Sequence, residues 1–282
     1  MNVKVYTLNA FAKSKKGGNP AGVVIDADSL SKKDMQIIAK KVGFSETAFV
    51  QKSDKADFKV RFFTPNKEID LCGHATIATF YLLAKKGIIK PGNYTQETKA
   101  GILNVEIKKD KTAFMEQNRP KFSEIISKKE IAKSLNVSEA AFPPNLPIQI
   151  VSTGLKEIFI PINSIKELHK IKPNFPKIIK ISKKYGVVGY HLFTLETKFK
   201  SAAHCRNFAP LYGVPEESAT GTANGALACY LFENKMITKK QAKNLIFEQG
   251  YSMDRPSEVL VSLDIKNNKI AKVKVGGIAF LQ

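Results

Sequence analysis

An internal repeat restricts the fold of this 282-residue chain more than any other feature of its sequence. The motif RxFxP occurs at residues 61–65 and again at residues 206–210, an offset of 206 − 61 = 145. Each copy is followed by a glycine turn and an apolar stretch, which begin at Gly73 and at Gly221, an offset of 221 − 73 = 148. Ordered matches at nearly constant spacing indicate two copies of one folding unit.

Local patterns predict that this unit is mixed α/β. Short alternating strands, such as residues 3–7 and 103–107, are interspersed with helices of 3.6-residue period. Ser31 and Asp34 form a capping box that opens a helix, and Gly43 lies where that helix would end. The same reasoning predicts a turn at residues 18–22 and a helix at residues 238–247. We place the two halves at residues 1–118 and 119–282, with the last strand or C-terminal segment able to exchange between them.

The composition excludes several classes of protein. No apolar run approaches the roughly 18 residues that span a bilayer, and the N-terminus has no signal-peptide layout. Three cysteines without a CxxC pair argue against a disulfide framework and a cysteine-based zinc site, so we predict a cytoplasmic protein without a metal. The net charge of +20 comes from 45 basic residues of which only four are arginine, spread as lysine pairs. Lysine spread in this way argues against specific nucleic-acid binding but favours attraction of small anions.

The two glycine turns predict an anion-binding cradle. Each turn opens a helix, and a helix N-terminus presents backbone N–H groups and a partial positive charge to an anion. A pseudo-two-fold axis between the two halves would bring the turns at Gly73 and Gly221 face to face in one cleft.

Four side chains near these turns are candidates for chemistry. Glu46 is flanked by apolar residues, and burial there is expected to raise the pKa of its carboxyl group towards neutrality, as suits a general acid or base. His74 lies in the first glycine turn, where it is able to shuttle a proton. Cys72 precedes the same helix, and the helix N-terminus is expected to lower the pKa of its thiol. Glu217, before the second turn, supplies a second carboxylate.

Taken together, these segments resemble the PhzF-like (phenazine-biosynthesis isomerase) family, whose relatives include diaminopimelate epimerase. The resemblance runs in family order over nearly the whole chain. It is carried by NAF at 9–11, GNPAGVV at 18–24, SETAFV at 45–50, RFFTP at 61–65, CGHAT at 72–76, STG at 152–154, RNFAP at 206–210 and EESATGTANGA at 216–226.

The resemblance implies two pseudo-symmetric epimerase-like halves, each a barrel-like sheet around a central helix, with the active site between them and a homodimer as the usual assembly. It implies an isomerase in which Glu46 exchanges a carbon-bound proton with the substrate. The family's polar cluster maps onto His74 and Glu217 as catalytic residues. Residues implied to bind substrate or its anionic group are Asn19, Cys72, Gly73, Ala75, Thr76, Gly221 and Thr222.

The chain departs from the family pattern at three positions. The best-known member has aspartate where this chain has Glu217 and serine where it has Thr222. Each pair shares a functional group but differs in the reach of the side chain. Epimerase relatives use two opposed cysteines, and here Cys72 matches the first while Thr220 occupies the second position. A carboxylate mechanism through Glu46 is therefore preferred over a two-thiol mechanism.

The sequence leaves several readings open. The preferred one is an isomerase, without metal or organic cofactor, that acts on a small carboxylate-bearing metabolite. The alternatives are a non-catalytic protein that binds a small anion, a one-base epimerase that uses Cys72, and, least favoured, a nucleic-acid-binding module.

Overall fold

The computed structural model describes residues 3–282 as a mixed α/β protein, which confirms the predicted fold class. The α-helices of this part of the chain are α1 (Lys32–Val42), α2 (Gly73–Lys85), α3 (Lys128–Leu135), α4 (Ile165–Lys170), α5 (Phe175–Tyr185) and α6 (Gly221–Glu233). None of these helices combines the length and the apolar character that crossing a bilayer would require.

Along the described part of the chain, eight strands lie before residue 118 and ten lie after it. The first series is β1 (Tyr6–Ala10), β2 (Asn19–Val24), β3 (Thr47–Gln51), β4 (Phe58–Phe63), β5 (Glu68–Ile69), β6 (Gly92–Thr98), β7 (Gly101–Ile107) and β8 (Ala113–Gln117). The second is β9 (Lys121–Ile125), β10 (Gln149–Ser152), β11 (Lys156–Pro161), β12 (Gly189–Thr194), β13 (Ala203–Ala209), β14 (Val214–Glu217), β15 (Leu245–Gln249), β16 (Ser257–Lys266), β17 (Lys269–Gly277) and β18 (Ala279–Leu281).

Internal contacts divide the protein into two compact units. The first unit runs as far as Glu116 and also takes in Gly276–Gln282, so that β18 pairs with β1. The second unit is Gln117–Val275. The C-terminal segment therefore belongs to the unit that begins the chain.

Both units use the same order of strand pairing, as the repeat predicts. In the first, β2 is parallel to β3, β3 antiparallel to β4, β4 parallel to β6, and β6 antiparallel to β7. In the second, β11, β12, β13, β15 and β16 repeat these four relations in the same order. Because α2 and α6 each follow the third strand of this order and its short antiparallel partner, they are equivalent central helices.

The RxFxP motif has one structural role in both units. Arg61 Nε donates to Glu68 Oε1 at 2.8 Å, and Arg206 Nε donates to Glu216 Oε1 at 2.8 Å. Each guanidinium also lies over the ring of the phenylalanine two positions later, at 5.3 Å and 4.8 Å. A glutamate on the short following strand is thus tied to the motif, and this contact precedes the glycine turn in each unit.

The two central helices are buried around most of their circumference. Ten of the thirteen residues of α2 and ten of the thirteen of α6 are buried. Their apolar sequences have no polar face that could remain in water, so the surrounding strands must cover them. By contrast, α1 is amphipathic, with the predicted Ser31 capping box and a left-handed Gly43 at φ 74° confirmed at its ends.

Two local predictions were wrong. Residues 18–22 are not only a turn: Gly18 has φ 82°, but Asn19 begins β2, and Pro20 precedes the part of β2 that pairs with β3. Residues 238–247 contain only a 3₁₀ turn at Gln241–Lys243 and then β15. Leu245 and Phe247 bury their side chains beside β13, and this long-range pairing outweighs local helix propensity.

Candidate active site

Three chemically active side chains meet in the first unit. Glu46 lies between the Gly43 cap of α1 and the start of β3, while Cys72 and His74 lie at the N-terminus of α2. His74 Nε2 is 3.1 Å from Glu46 Oε2, and Cys72 Sγ is 3.4 Å from His74 Nδ1. The side chains of His74 and Glu46 are only 8% and 17% exposed, so water screens their contact poorly.

The pKa of Glu46 is lowered, and the prediction that it would be raised was wrong. Burial does push the pKa of this carboxyl upwards, but the neighbouring His74 and weaker contacts with Ser45 and Cys72 push it down further. The contact with His74 at Glu46 Oε2, through its hydrogen bond and then its charge, is the main stabiliser of the carboxylate. At neutral pH Glu46 is therefore a carboxylate that is ready to accept a proton.

The pKa of His74 is raised well above its usual value. Burial opposes its charge, but the contacts with Cys72 and Glu46 outweigh that effect. Asn19 Nδ2 lies 3.4 Å from the Nδ1 atom of the same ring, so a predicted binding residue contacts a catalytic candidate. His74 and Glu46 therefore form a largely buried imidazolium–carboxylate pair.

The prediction that the helix N-terminus lowers the pKa of Cys72 was also wrong. Burial, reinforced by the negative charge of Glu46, raises the pKa of the thiol, and the opposing contacts with His74 and the Ala75 N–H are weaker. Only 8% of Cys72 is exposed. The resting form is therefore a thiol, held beside a charged pair.

The other candidates in the first unit surround the start of α2. Gly73 and Ala75 occupy the first turn, whose N–H groups are directed out of the helix. Both donor groups of Thr76 form hydrogen bonds within the helix: its N–H and its hydroxyl donate to the Cys72 carbonyl oxygen at 3.0 and 2.8 Å. The structure thus brings Asn19, Cys72 and Gly73–Thr76 together around His74 and Glu46.

In the second unit, Glu217 ends β14 and the turn at residues 218–220 leads into Gly221 and Thr222 of α6. The Thr220 hydroxyl donates to Glu217 Oε2 at 2.6 Å. This bond orients the carboxylate that the sequence identified. The prediction that this turn and the one at Gly73 face one cleft stays a prediction.

Sequence reasoning missed Gln249, which organises this second turn. Its Nε2 donates to the Glu217 carbonyl oxygen at 2.8 Å and to Thr220 Oγ1 at 3.0 Å. Its Oε1 accepts from the Thr220 N–H at 3.1 Å and from Asn224 Nδ2 at 2.8 Å. Because Gln249 Nε2 donates to Thr220 Oγ1, the hydroxyl proton is left to point at Glu217. No local motif marks Gln249, which lies 32 residues beyond Glu217.

A second overlooked residue is Glu157 on β11, which carries a carboxyl group. It is 3% exposed, and Asn207 Nδ2 donates to its Oε2 at 2.5 Å. Burial, opposed by Asn207 and helped by the charge of Glu217, raises the pKa of Glu157 to about 8. Asn207 lies directly opposite Glu217 in the β13–β14 register, so a protonated carboxyl group lies near Glu217.

The first-unit residues also suit a metal ion by distance. One ligand atom each from Glu46, Cys72 and His74 lies within 4.8 Å of the others. Carboxylate, thiolate and imidazole are ligands that zinc accepts. The absence of a metal stays a prediction from the sequence.

Comparison with known proteins shows which proteins this chain is similar to. The model of the family described as "Phenazine biosynthesis-like protein" matches residues 8–282. The chain is similar to an "Uncharacterized isomerase" of Clostridium acetobutylicum, with 36% identity over 98% of this chain and 94% of that protein. It is 30% identical to "Trans-2,3-dihydro-3-hydroxyanthranilate isomerase" of Pseudomonas chlororaphis over 96% of this chain and 94% of that protein.

Solved structures agree. A PhzF-family phenazine biosynthesis protein of Bacillus anthracis superposes with a TM-score of 0.87 and 34% identity, covering 99% of this chain and 96% of that one. A probable proline racemase of Agrobacterium radiobacter superposes with a TM-score of 0.63 at 11% identity, covering 100% of this chain and 91% of that one. The second likeness shows the fold alone.

Proposed function

Because this chain belongs to the phenazine biosynthesis-like family and is an isomerase, we propose that it moves a carbon-bound proton on a small carboxylate-bearing metabolite, with Glu46 as the acid/base. The observation that carries this proposal is the contact between Glu46 and His74, at 3.1 Å in a largely buried site. A carboxylate beside an imidazolium is ionised at neutral pH and is positioned to accept a proton.

The proposed reaction conserves every atom of the substrate. The Glu46 carboxylate takes a proton from one carbon, and the electron pair of that C–H bond moves into the unsaturated system of the substrate. The neutral Glu46 then returns the proton to a different carbon, and the electron pair closes the new C–H bond. The His74 imidazolium, together with the helix dipole of α2, stabilises negative charge that develops on the substrate.

Substrate binding is assigned to the starts of the two central helices. Each helix start offers backbone N–H groups to an anion: Gly73 and Ala75 at α2 in the first unit, and Gly221 and Thr222 at α6 in the second. Glu217, with its oxygen fixed by Thr220, supplies a carboxylate beside the start of α6. The net charge of +20 speeds the arrival of an anion without adding specificity.

The assembly and location form part of the same proposal. We assign a homodimer, as the family resemblance implies, and no nucleic-acid partner. Cys72, Cys205 and Cys229 are all free and buried, which is consistent with a reducing compartment such as the cytoplasm.

The test is a screen for enzyme-dependent deuterium uptake from heavy water into carboxylate-bearing metabolites. The panel includes trans-2,3-dihydro-3-hydroxyanthranilate, because a relative is named for acting on it. With a substrate in hand, Glu46→Gln is expected to reduce turnover about 10²–10⁴-fold while substrate affinity is largely kept, since glutamine cannot accept the proton. Turnover that survives in Glu46→Gln would contradict the proposal.

One competing mechanism has a structural observation behind it. Cys72 Sγ lies 3.4 Å from His74 Nδ1, which would suit an epimerase that uses the thiol as its single base. Cys72→Ser separates the two mechanisms. We expect it to reduce turnover much less than Glu46→Gln does, and the opposite ranking would favour the thiol epimerase.

A further inference from the structure

A buried row of three ionisable side chains lies in the second unit, outside the site described above. Glu248 of β15 accepts a hydrogen bond from His204 Nδ1 of β13 at 2.7 Å, and both side chains are fully buried. On the other side of the same ring, His204 Nε2 lies 2.9 Å from Nε2 of the half-buried His169 on α4. The row therefore runs from a buried carboxylate to a histidine at the protein surface.

The hydrogen-bond partners determine where the protons lie. Glu248 Oε1 accepts from the Phe199 N–H at 2.8 Å, and Oε2 accepts from the Lys198 N–H at 2.9 Å, so the carboxyl group acts only as an acceptor. These bonds, with that of His204, hold the pKa of Glu248 at about 2 despite burial. The His204 Nδ1 atom must therefore carry a proton.

The contact between the two histidines holds a single proton. The ring centroids are 5.0 Å apart and the two Nε2 atoms only 2.9 Å apart, so the rings meet nearly head-on. One Nε2 donates and the other accepts. If both nitrogens carried protons, two imidazolium cations would face each other with no acceptor between them.

The surrounding charges oppose a second proton. Burial and then the charges of His204, Lys198 and Arg206 lower the pKa of His169, while Glu216 acts weakly in the other direction. The remaining titratable groups of the cluster lie on the side of Glu248 and His204: Cys205 in β13, Tyr251 in the 3₁₀ turn after β15, and Glu258, opposite Glu248 in β16.

We infer that the His169–His204 contact is an acid-sensitive latch, which holds α4 against the sheet near neutral pH and releases it when a second proton binds. Besides this contact, three others hold α4: Arg206 Nη1 donates to the Leu168 and Ile171 carbonyl oxygens at 3.0 Å each, the Ile165 N–H donates to Glu196 Oε2 at 2.9 Å, and the Leu168 side chain is buried in the core. Acidification replaces the attractive contact with a repulsive one beside this cationic guanidinium.

The latch is connected to the strand that ends in Glu217. The same Arg206 that binds α4 forms a two-pronged contact with Glu216, at 2.8 and 2.9 Å. Release of α4 removes two acceptors from Arg206, and β14 loosens with it. The effect of this loosening on Glu217, and so on catalysis, rests on the proposed function, but the latch itself does not.

Hydrogen-exchange mass spectrometry on the full chain tests the latch. After correction for the intrinsic pH dependence of exchange, protection of α4 should fall by up to about tenfold per pH unit below about pH 6.5, since one proton is linked to opening. His169→Gln keeps a donor for His204 but cannot titrate, so its α4 protection should not change over the same range. Helix α5, which contains no histidine, is the internal control and should stay flat in both proteins.

Two results would overturn the inference: α4 protection that does not vary with pH in the wild-type chain, or an unchanged pH dependence in His169→Gln. Should His169→Gln fail to fold, imidazole ¹⁵N spectra of the wild-type protein decide the question. The shared proton should disappear from those spectra over the pH range in which α4 loses protection, and its persistence at low pH would refute the latch. Neither measurement involves turnover, so failure here is distinguishable from failure of the proposed isomerase reaction.

Discussion

The buried carboxyl group of Glu157 allows a quantitative test of the electrostatics of the second unit. We propose the substitution Glu157→Gln, which keeps the shape of the side chain and an oxygen to accept from Asn207 Nδ2. The glutamine cannot ionise. The difference between the two proteins therefore isolates the free energy of ionising one buried group.

The expected effect follows from the two pKa values. Burial raises the pKa of Glu157 from 4.5 to about 8, so the folded protein keeps a proton that the unfolded chain releases between these values. The free energy of unfolding contributed by Glu157 is therefore present below about pH 4.5 and is lost as the pH rises through 8. At 1.36 kcal/mol per unit the whole window corresponds to about 5 kcal/mol, of which about 3.5 kcal/mol falls between pH 5 and pH 8, because the change is only partial near each pKa.

The assay is urea unfolding of both proteins at several pH values across that window. Glu157→Gln should gain about 3.5 kcal/mol of stability relative to wild type between pH 5 and pH 8, because only in the wild type does the unfolded chain release a proton that the folded protein keeps. The exposed Glu124→Gln in β9 controls for the loss of one acidic residue and should show no such trend. A stability difference that does not change with pH would refute the reasoning.

Two further predictions concern Gln249 and Cys72. Gln249→Met should lower the free energy of unfolding by about 2–4 kcal/mol in thermal or urea denaturation, because four buried hydrogen bonds are lost. The control is Gln149→Met, at a half-buried residue, which should have a smaller effect. Equal effects of the two substitutions would contradict the role of Gln249. Iodoacetamide should modify Cys72 faster in Glu46→Gln than in wild type at pH 7, because the negative charge of Glu46 raises the pKa of the thiol. Peptide mass spectrometry measures the rate, and the fully buried Cys205 should stay unmodified in both proteins. An equal rate of Cys72 modification would refute the coupling.

Much of the fold was predictable because it depends on local pattern and on repetition. The RxFxP motifs, the glycine turns and the Gly43 cap all appear in the structure at the predicted places, and the two units share one pairing order. The isomerase class was also predictable, because the motifs follow family order. The predicted helix at residues 238–247 failed because Leu245 and Phe247 are buried by β13, a strand about 40 residues away in the chain.

For the candidate site, the sequence indicated the residues but not their protonation states. Sequence identified Glu46, Cys72 and His74, but it could not provide the sign of their pKa shifts. Glu46 is 28 residues from His74 in sequence, and only the folded chain brings an imidazolium to 3.1 Å from its carboxylate. An apolar neighbourhood alone would raise the pKa of a carboxyl group, and a single nearby cation reverses that effect.

The sequence by itself determined the repeat, the helix caps, the family and the candidate side chains of the site, because these depend on residue type and short spacing. Tertiary structure alone decided which ionisable groups meet. Glu157 with Asn207, Gln249 with Glu217, and Glu248 with His204 are all separated by more than thirty residues in the chain. Burial, charge and hydrogen bonding act over a few ångströms of space, so protonation states depend on contacts that no local pattern in the chain specifies.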